Sequence, residues 1–259
     1  MLRDGHNYLK DKVKNKEKIA AAWAQAGSNI TAEILAEAGF DVVIIDHEHG
    51  PGDIPTLITQ IQALKGEKAV PFVRAPWNDF VQIKRILDAG AYGLLIPYIN
   101  TKQEAEEAVK AVRYPTLGIR GVAGSVRAAH YGNDPMSYIT TANKEIFIMV
   151  AVETIEAVTN VEELISVDGV DGIFIGPTDL SSSMGYLGNP SVSEVQKAIR
   201  QIEMAVIPSS VSLCTISGSF EDAKQKFERG YDMITLMSDT STLSKTACGL
   251  IQQFEQEFG

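Results

Sequence analysis

The stretch FDVVIIDHEHGP, residues 40–51, decides the fold. Val42-Val43-Ile44-Ile45 is apolar and β-branched throughout, with no polar residue alternating along it. A strand of that kind is buried on both faces, which places it in a parallel sheet covered by helices. Four ionisable side chains, Asp46, His47, Glu48 and His49, follow at its end before Gly50 and Pro51 stop the run.

The same pattern recurs along the chain. Apolar β-branched runs predict strands at Ile19–Trp23, Asp41–Ile45, Ala69–Val73, Tyr92–Ile96, Ile146–Val152, Asp171–Ile175, Val206–Cys214 and Asp232–Leu236. Helical periodicity lies between them, at Ile30–Ala38, Ile54–Leu64, Phe80–Ala89, Lys102–Val112, Ile155–Ile165, Ser193–Met204, Phe220–Arg229 and Leu243–Phe258. Ala38-Gly39, Ala89-Gly90 and Arg229-Gly230 read as helix stops shortly before strands. Eight such units in about 250 residues predict a (β/α)8, or TIM, barrel forming one α/β domain over residues 1–259. A doubly wound open sheet is the other arrangement, but no GxGxxG follows the first strand. The segment Gly118–Asn143 is too long for a plain connection and predicts a loop with a short helix.

Composition excludes several classes. The chain has 259 residues, is 45% hydrophobic, and carries a formal net charge of −10. Its only basic run, Lys10–Lys18, reads as a solvated first helix, so no nucleic-acid partner is expected. No apolar run reaches the ~18 residues of a membrane helix, and the charged N-terminus has no signal-peptide core. Two cysteines, Cys214 and Cys248, give no disulfide framework, so a cytoplasmic location is expected.

In a barrel the chemistry sits at the C-terminal strand ends. Asp46, His47, Glu48 and His49 follow the second strand, Arg74 the third, Glu153 the fifth, and Gly176–Ser181 (GPTDLS) the sixth. Each has a structural alternative: Asp46 as a loop cap or partner of Arg74, either histidine as a polar loop residue, Glu153 as a helix-start acid, Asp179 as a turn residue. Together they suggest one mouth. Glu153 and Asp179 can hold a hard divalent cation, and the turn amides can bind a carboxylate. Arg74 can stabilise an oxyanion, and a histidine can move a proton, which describes enolate chemistry. Asp88, in the last turn of a helix, opposes the helix dipole and should not reach its own subunit's site.

Several motifs are jointly specific: IIDHEHGP, VRAPWND, VQIKRILDAGA, LLIPYINTKQEAEEAV, RYPTLGIRGV, VETIEA, VDGVDGIFIGPTDLSSSMGYLGNP and the closing EQEFG. From about Asn7 onward the chain resembles the HpcH/HpaI aldolases, class II pyruvate-dependent aldehyde-lyases of the 4-hydroxy-2-oxo-heptanedioate type. The resemblance implies a barrel, a divalent metal (Mg, Mn, Co or Zn), and reversible cleavage of a 4-hydroxy-2-oxo acid to pyruvate and an aldehyde through a metal-bound enolate. It implies His49 as base, Arg74 at the pyruvate carbonyl, Glu153 and Asp179 as metal ligands, and the amides of Thr178 and Asp179 at the pyruvate carboxylate. It further implies that Asp88 of a neighbouring subunit supports the histidine. A homo-hexamer built as a trimer of dimers is implied, with Leu243–Phe258 exchanged between partners.

The chain departs from the family pattern in places. Ala151 stands where a substrate-contacting glutamine is usual, and His47 where glycine or alanine is common. Ala21-Ala22 and Met237-Ser238-Asp239 replace glycine-containing strand ends. Other readings are a CoA-thioester lyase, an oxaloacetate decarboxylase working through the same enolate, and a non-catalytic 2-oxo-acid binder.

Overall fold

Eight parallel strands hydrogen-bond in chain order and close, β8 against β1, into a barrel. The computed structural model describes residues 5–259; the first four residues of the charged N-terminal segment lie outside the described residues. The strands are β1 (Ile19–Ala24), β2 (Val42–Asp46), β3 (Val70–Arg74), β4 (Gly93–Ile96), β5 (Phe147–Val152), β6 (Gly172–Ile175), β7 (Ser212–Ile216) and β8 (Met233–Ser238). The helices are α1 (Tyr8–Lys14), α2 (Asn29–Glu37), α3 (Ile54–Ala63), α4 (Phe80–Asp88), α5 (Lys102–Val112), α6 (Pro135–Ile139), α7 (Ala142–Glu145), α8 (Ile155–Thr159), α9 (Val161–Ile165), α10 (Pro177–Ser183), α11 (Ser193–Val206), α12 (Phe220–Arg229) and α13 (Asp239–Phe258).

Every residue of β2, β3, β4, β5 and β6 is buried, as strands covered on both faces must be. The helices between them start at side-chain caps. Asp53 accepts from Thr56 N–H, Asp79 from Gln82 N–H, and Thr101 and Glu104 form a reciprocal capping box. They stop where expected: Gly39, Gly90 and Gly230 take φ of 90°, 104° and 116°, the left-handed region open to glycine.

Six strands begin one residue later than their apolar runs suggest, and three of them share a reason. Asp41, Asp171 and Asp232 precede β2, β6 and β8. Their carboxylates accept N–H bonds from Ala20, Ile148 and Leu213 on the preceding strand, at 3.0, 2.8 and 3.0 Å. Each acid ties two strands together at the barrel's N-terminal end. In this fold that end serves stability rather than chemistry.

Other boundaries shift too. The run expected as a strand from Val206 to Cys214 is divided. Val206 closes the buried face of α11, which includes Val195, Ala198, Ile199 and Ile202, and β7 starts only at Ser212. The helix expected over Ile155–Ile165 breaks at Asn160, whose side chain donates to Asn100 O at 2.8 Å. The last helix starts at Asp239, four residues early. The long segment before β5 carries a 3-10 turn at His130–Gly132 and two short helices, α6 and α7.

Candidate active site

The IIDHEHGP turn is built around Asp46. The carboxylate is buried at the end of β2, and Arg74 at the end of β3 is its register partner. Arg74 Nε donates to Asp46 Oδ1 at 2.9 Å and Nη2 to Oδ2 at 2.6 Å, the fork that guanidinium and carboxylate geometry favours. Oδ1 also accepts from the backbone N–H of Glu48 and His49, which bends the chain back. Gly50 lies so close that a Cβ there would be 2.2 Å from Asp46 O. Burial opposes the Asp46 charge, but hydrogen bonds and charge from Arg74, with Gln25, outweigh it and hold the carboxyl below the usual range. Arg74 Nη1 lies 3.0 Å from Glu48 Oε2, and the guanidinium stacks over Trp23 at 4.7 Å.

Across the mouth, Glu153 follows β5 and is 4% exposed. Burial pushes its carboxyl up to about 7; the Asp179 and Glu48 charges add to the shift, while Tyr98 N–H and Arg74 oppose it. That N–H donates to Glu153 Oε2 at 3.2 Å from a residue held at φ 54°, a conformation uncommon outside glycine. Gly176, after β6, makes room for the acid, since a Cβ there would lie 2.7 Å from both Cγ and Oε1 of Glu153. Thr178 and Asp179 follow in the first turn of α10. Glu153, Asp179 and Glu48 therefore crowd negative charge into a partly dry site, and Arg74 offsets part of it. Among the described residues, no group of three or more His, Cys, Asp or Glu is arranged to hold a metal ion. Two carboxylates with open positions nevertheless suit a hard cation that keeps water and substrate in its shell.

Residues after β1 and β8 complete the cavity, which strand-end reasoning applied to β2, β3, β5 and β6 missed. Gln25 Nε2 donates to Asp46 Oδ2 at 3.0 Å, and its Oε1 accepts from Ser238 Oγ at 2.7 Å. Asp239, also buried, accepts from the backbone N–H of Gln25 and Ala26 and from Thr31 Oγ1. The polar ends of these two strands were the available signal. The cavity measures about 640 Å³, and its lining includes Gln25, Arg74, Glu153, Thr178, Asp179 and Ser238.

Not all predicted residues converge. His49 is on the rim with its side chain 67% exposed, its Nε2 3.9 Å from Glu48 Oε1. His47 Nε2 is buried beside Gly52 without a hydrogen-bond partner among the described residues, and burial lowers its pKa. Ala151 is buried in β5 opposite Phe174, and it is not among the residues that line the cavity. Asp88 ends α4, the end that leads to the foot of β4. Its charge is met by Arg120, fully buried, which donates to Asp88 Oδ1 at 2.8 Å and to Tyr138 OH at 2.9 Å. Arg127 Nη1 donates to Ala89 O at 2.8 Å, so two cations answer the dipole that Asp88 opposes.

Known proteins are similar to this chain in sequence and share its fold. The family model described as HpcH/HpaI aldolase/citrate lyase matches residues 20–246. A 4-hydroxy-2-oxo-heptane-1,7-dioate aldolase of Escherichia coli is 40% identical over 248 residues, 96% of this chain and 95% of the relative. The crystal structure of a family protein from Burkholderia cenocepacia J2315 superposes with TM-score 0.92 at 36% identity, covering 96% of this chain and 99% of the other. An HpcH/HpaI aldolase from Desulfitobacterium hafniense DCB-2 gives TM-score 0.88 at 26% identity, covering 95% and 96%. The chain belongs to the HpcH/HpaI aldolase/citrate lyase family.

Proposed function

We propose that the protein is a divalent-metal-dependent aldolase that reversibly cleaves a 4-hydroxy-2-oxo acid to pyruvate and an aldehyde. The observation that carries this reading is the facing pair of sites at one mouth: a buried, carboxylate-crowded Glu153 and a forked Arg74. Glu153 and Asp179 would hold the cation (Mg, Mn, Co or Zn), which when bound supplies Lewis-acid polarisation of the 2-oxo group.

This chain's residues supply the remainder. The backbone N–H groups of Thr178 and Asp179, exposed at the start of α10, receive the substrate carboxylate. Arg74 directs its remaining N–H donors at the 2-oxo oxygen, where negative charge grows as the C3–C4 bond breaks. His49 takes the proton from the 4-hydroxyl and returns it in the reverse direction. Asp46 holds Arg74 in position and shapes the loop carrying His49. Asp88 of a neighbouring copy would cover His49 and support its basicity. That role requires an oligomer, and a trimer of dimers would also cover the exposed Leu243, Leu250, Ile251, Phe254 and Phe258 of α13. Ala151 has no substrate contact in this scheme. Among the described residues no helix is long and apolar enough to cross a membrane. Both cysteines are free thiols, which fits a reducing cytoplasm.

The test needs no knowledge of the aldehyde. With Mg²⁺ or Mn²⁺, the methyl protons of pyruvate should exchange in D₂O, followed by NMR, and EDTA should stop the exchange. Exchange that is absent, or indifferent to EDTA, would sink the reading. Gly176→Ala pushes a methyl into Glu153 and should lower turnover about 10²-fold, the usual cost of a displaced catalytic group. Steady-state kinetics alongside circular dichroism would separate that loss from misfolding.

A further inference from the structure

The cavity has a second polar end that the scheme above does not use. From Glu153 and Asp179 it extends past β7 to α13, where Ser241, Thr242, Lys245 and Thr246 line it. Positions i, i+1, i+4 and i+5 form one stripe of a helix. On α13 that stripe carries three hydroxyls and one ammonium, while Leu243, Leu250 and Phe254 lie outside the lining. Thr235, beneath them on β8, is buried, and its hydroxyl has no partner among the described residues.

Two cations line this cavity, Arg74 and Lys245, and their states differ. Arg74 is already paired with Asp46 and Glu48. Lys245 forms no ion pair among the described residues, although the chain carries 33 acidic side chains against 23 lysines and arginines. Among the residues that line the cavity, an anionic group entering a site that already holds Glu48, Glu153 and Asp179 finds a compensating full charge only at these two cations. One end of the substrate is fixed at Arg74 and α10. A second carboxylate on the aldehyde portion would then find its compensating charge at Lys245, with Ser241 and Thr242 as hydroxyl donors beside it.

We propose that Lys245 is the specificity-determining residue for aldehydes bearing a distal carboxylate. The inference rests on the aldolase reading above and adds the residue that selects the second substrate.

The test compares two four-carbon aldehydes, succinic semialdehyde and butanal, as partners of pyruvate. The readout is the ratio of their kcat/KM values in wild type, Lys245→Ala, Lys245→Arg and Lys245→Glu. The ratio should fall roughly fivefold in Lys245→Ala, what an exposed charge pair delivers, and further in Lys245→Glu, with Lys245→Arg keeping most of it. In wild type it should also shrink with added KCl, as a screened contact does. If pyruvate exchanges its protons but the ratio is the same in all four proteins, or the semialdehyde is not used, the role of Lys245 is overturned and the aldolase reading stands. If wild type shows no metal-dependent exchange, the aldolase reading and this inference fall together.

Discussion

Arg74→Ala should lose at least ~10³-fold in aldol turnover, abolish pyruvate proton exchange, and also destabilise the fold. The two losses have separate causes. On the scheme proposed above, catalysis would lose the N–H donors aimed at the growing oxyanion. Stability falls because Asp46, with no side-chain exposure, keeps its charge but loses the fork that sustains it. Leaving one partner of a buried ion pair uncompensated costs about 3–5 kcal/mol. Urea unfolding monitored by circular dichroism should show the shift. Arg74→Lys restores a charge but not the fork, so it should recover part of the stability and little of the activity. The double variant Arg74→Ala, Asp46→Ala should be more stable than Arg74→Ala alone, and a less stable double variant would refute the pairing argument.

Glu153→Gln should act in the opposite sense on stability while also abolishing activity. The wild-type carboxyl is raised from its ordinary 4.5 to about 7. A group raised on folding favours the folded state while protonated, and that advantage disappears as pH rises through the folded value. Without metal, the protein should therefore lose stability between pH 4.5 and about 7 and stay lower above it. Glutamine keeps an acceptor for Tyr98 N–H and carries no charge. Metal-free Glu153→Gln should thus exceed wild type at pH 8, by about 1–3 kcal/mol, and match it near pH 4. Added Mn²⁺ should raise the melting temperature of wild type and not of the variant. Equal pH dependence in the two proteins would show that Glu153 is not the strained acid.

Much of this was legible in the sequence because buried parallel strands carry a strong signal. The apolar runs at Val42–Ile45 and Val70–Val73 gave β2 and β3, and the polar residues after them marked the mouth. Val206 misled because an apolar pair closing one helix face looks like the start of a strand when Pro208 and two serines are read as internal to it. The aspartates at the strand entrances looked like strand residues because nothing local shows that their carboxylates bond to the neighbouring strand. Gln25, Ser238 and Asp239 were missed because their roles come from barrel closure, which brings together residues more than 200 positions apart. The exposure of His49 is likewise a property of the folded surface and has no local signature.

The pairing of Arg74 limits how a substrate can be oriented. A guanidinium has five N–H donors in a rigid plane. Nε and one N–H of Nη2 face Asp46, and one N–H of Nη1 faces Glu48. What remains is a single N–H on each terminal nitrogen. That suffices for one oxygen atom but cannot give full bidentate grip to a carboxylate and hold a neighbouring carbonyl as well. The arginine is thereby a reader of one atom. A 2-oxo acid and its 2-deoxy analogue should differ in affinity through Arg74, whereas their shared carboxylate, on the scheme proposed above, would sit on the α10 amides and should contribute alike to both.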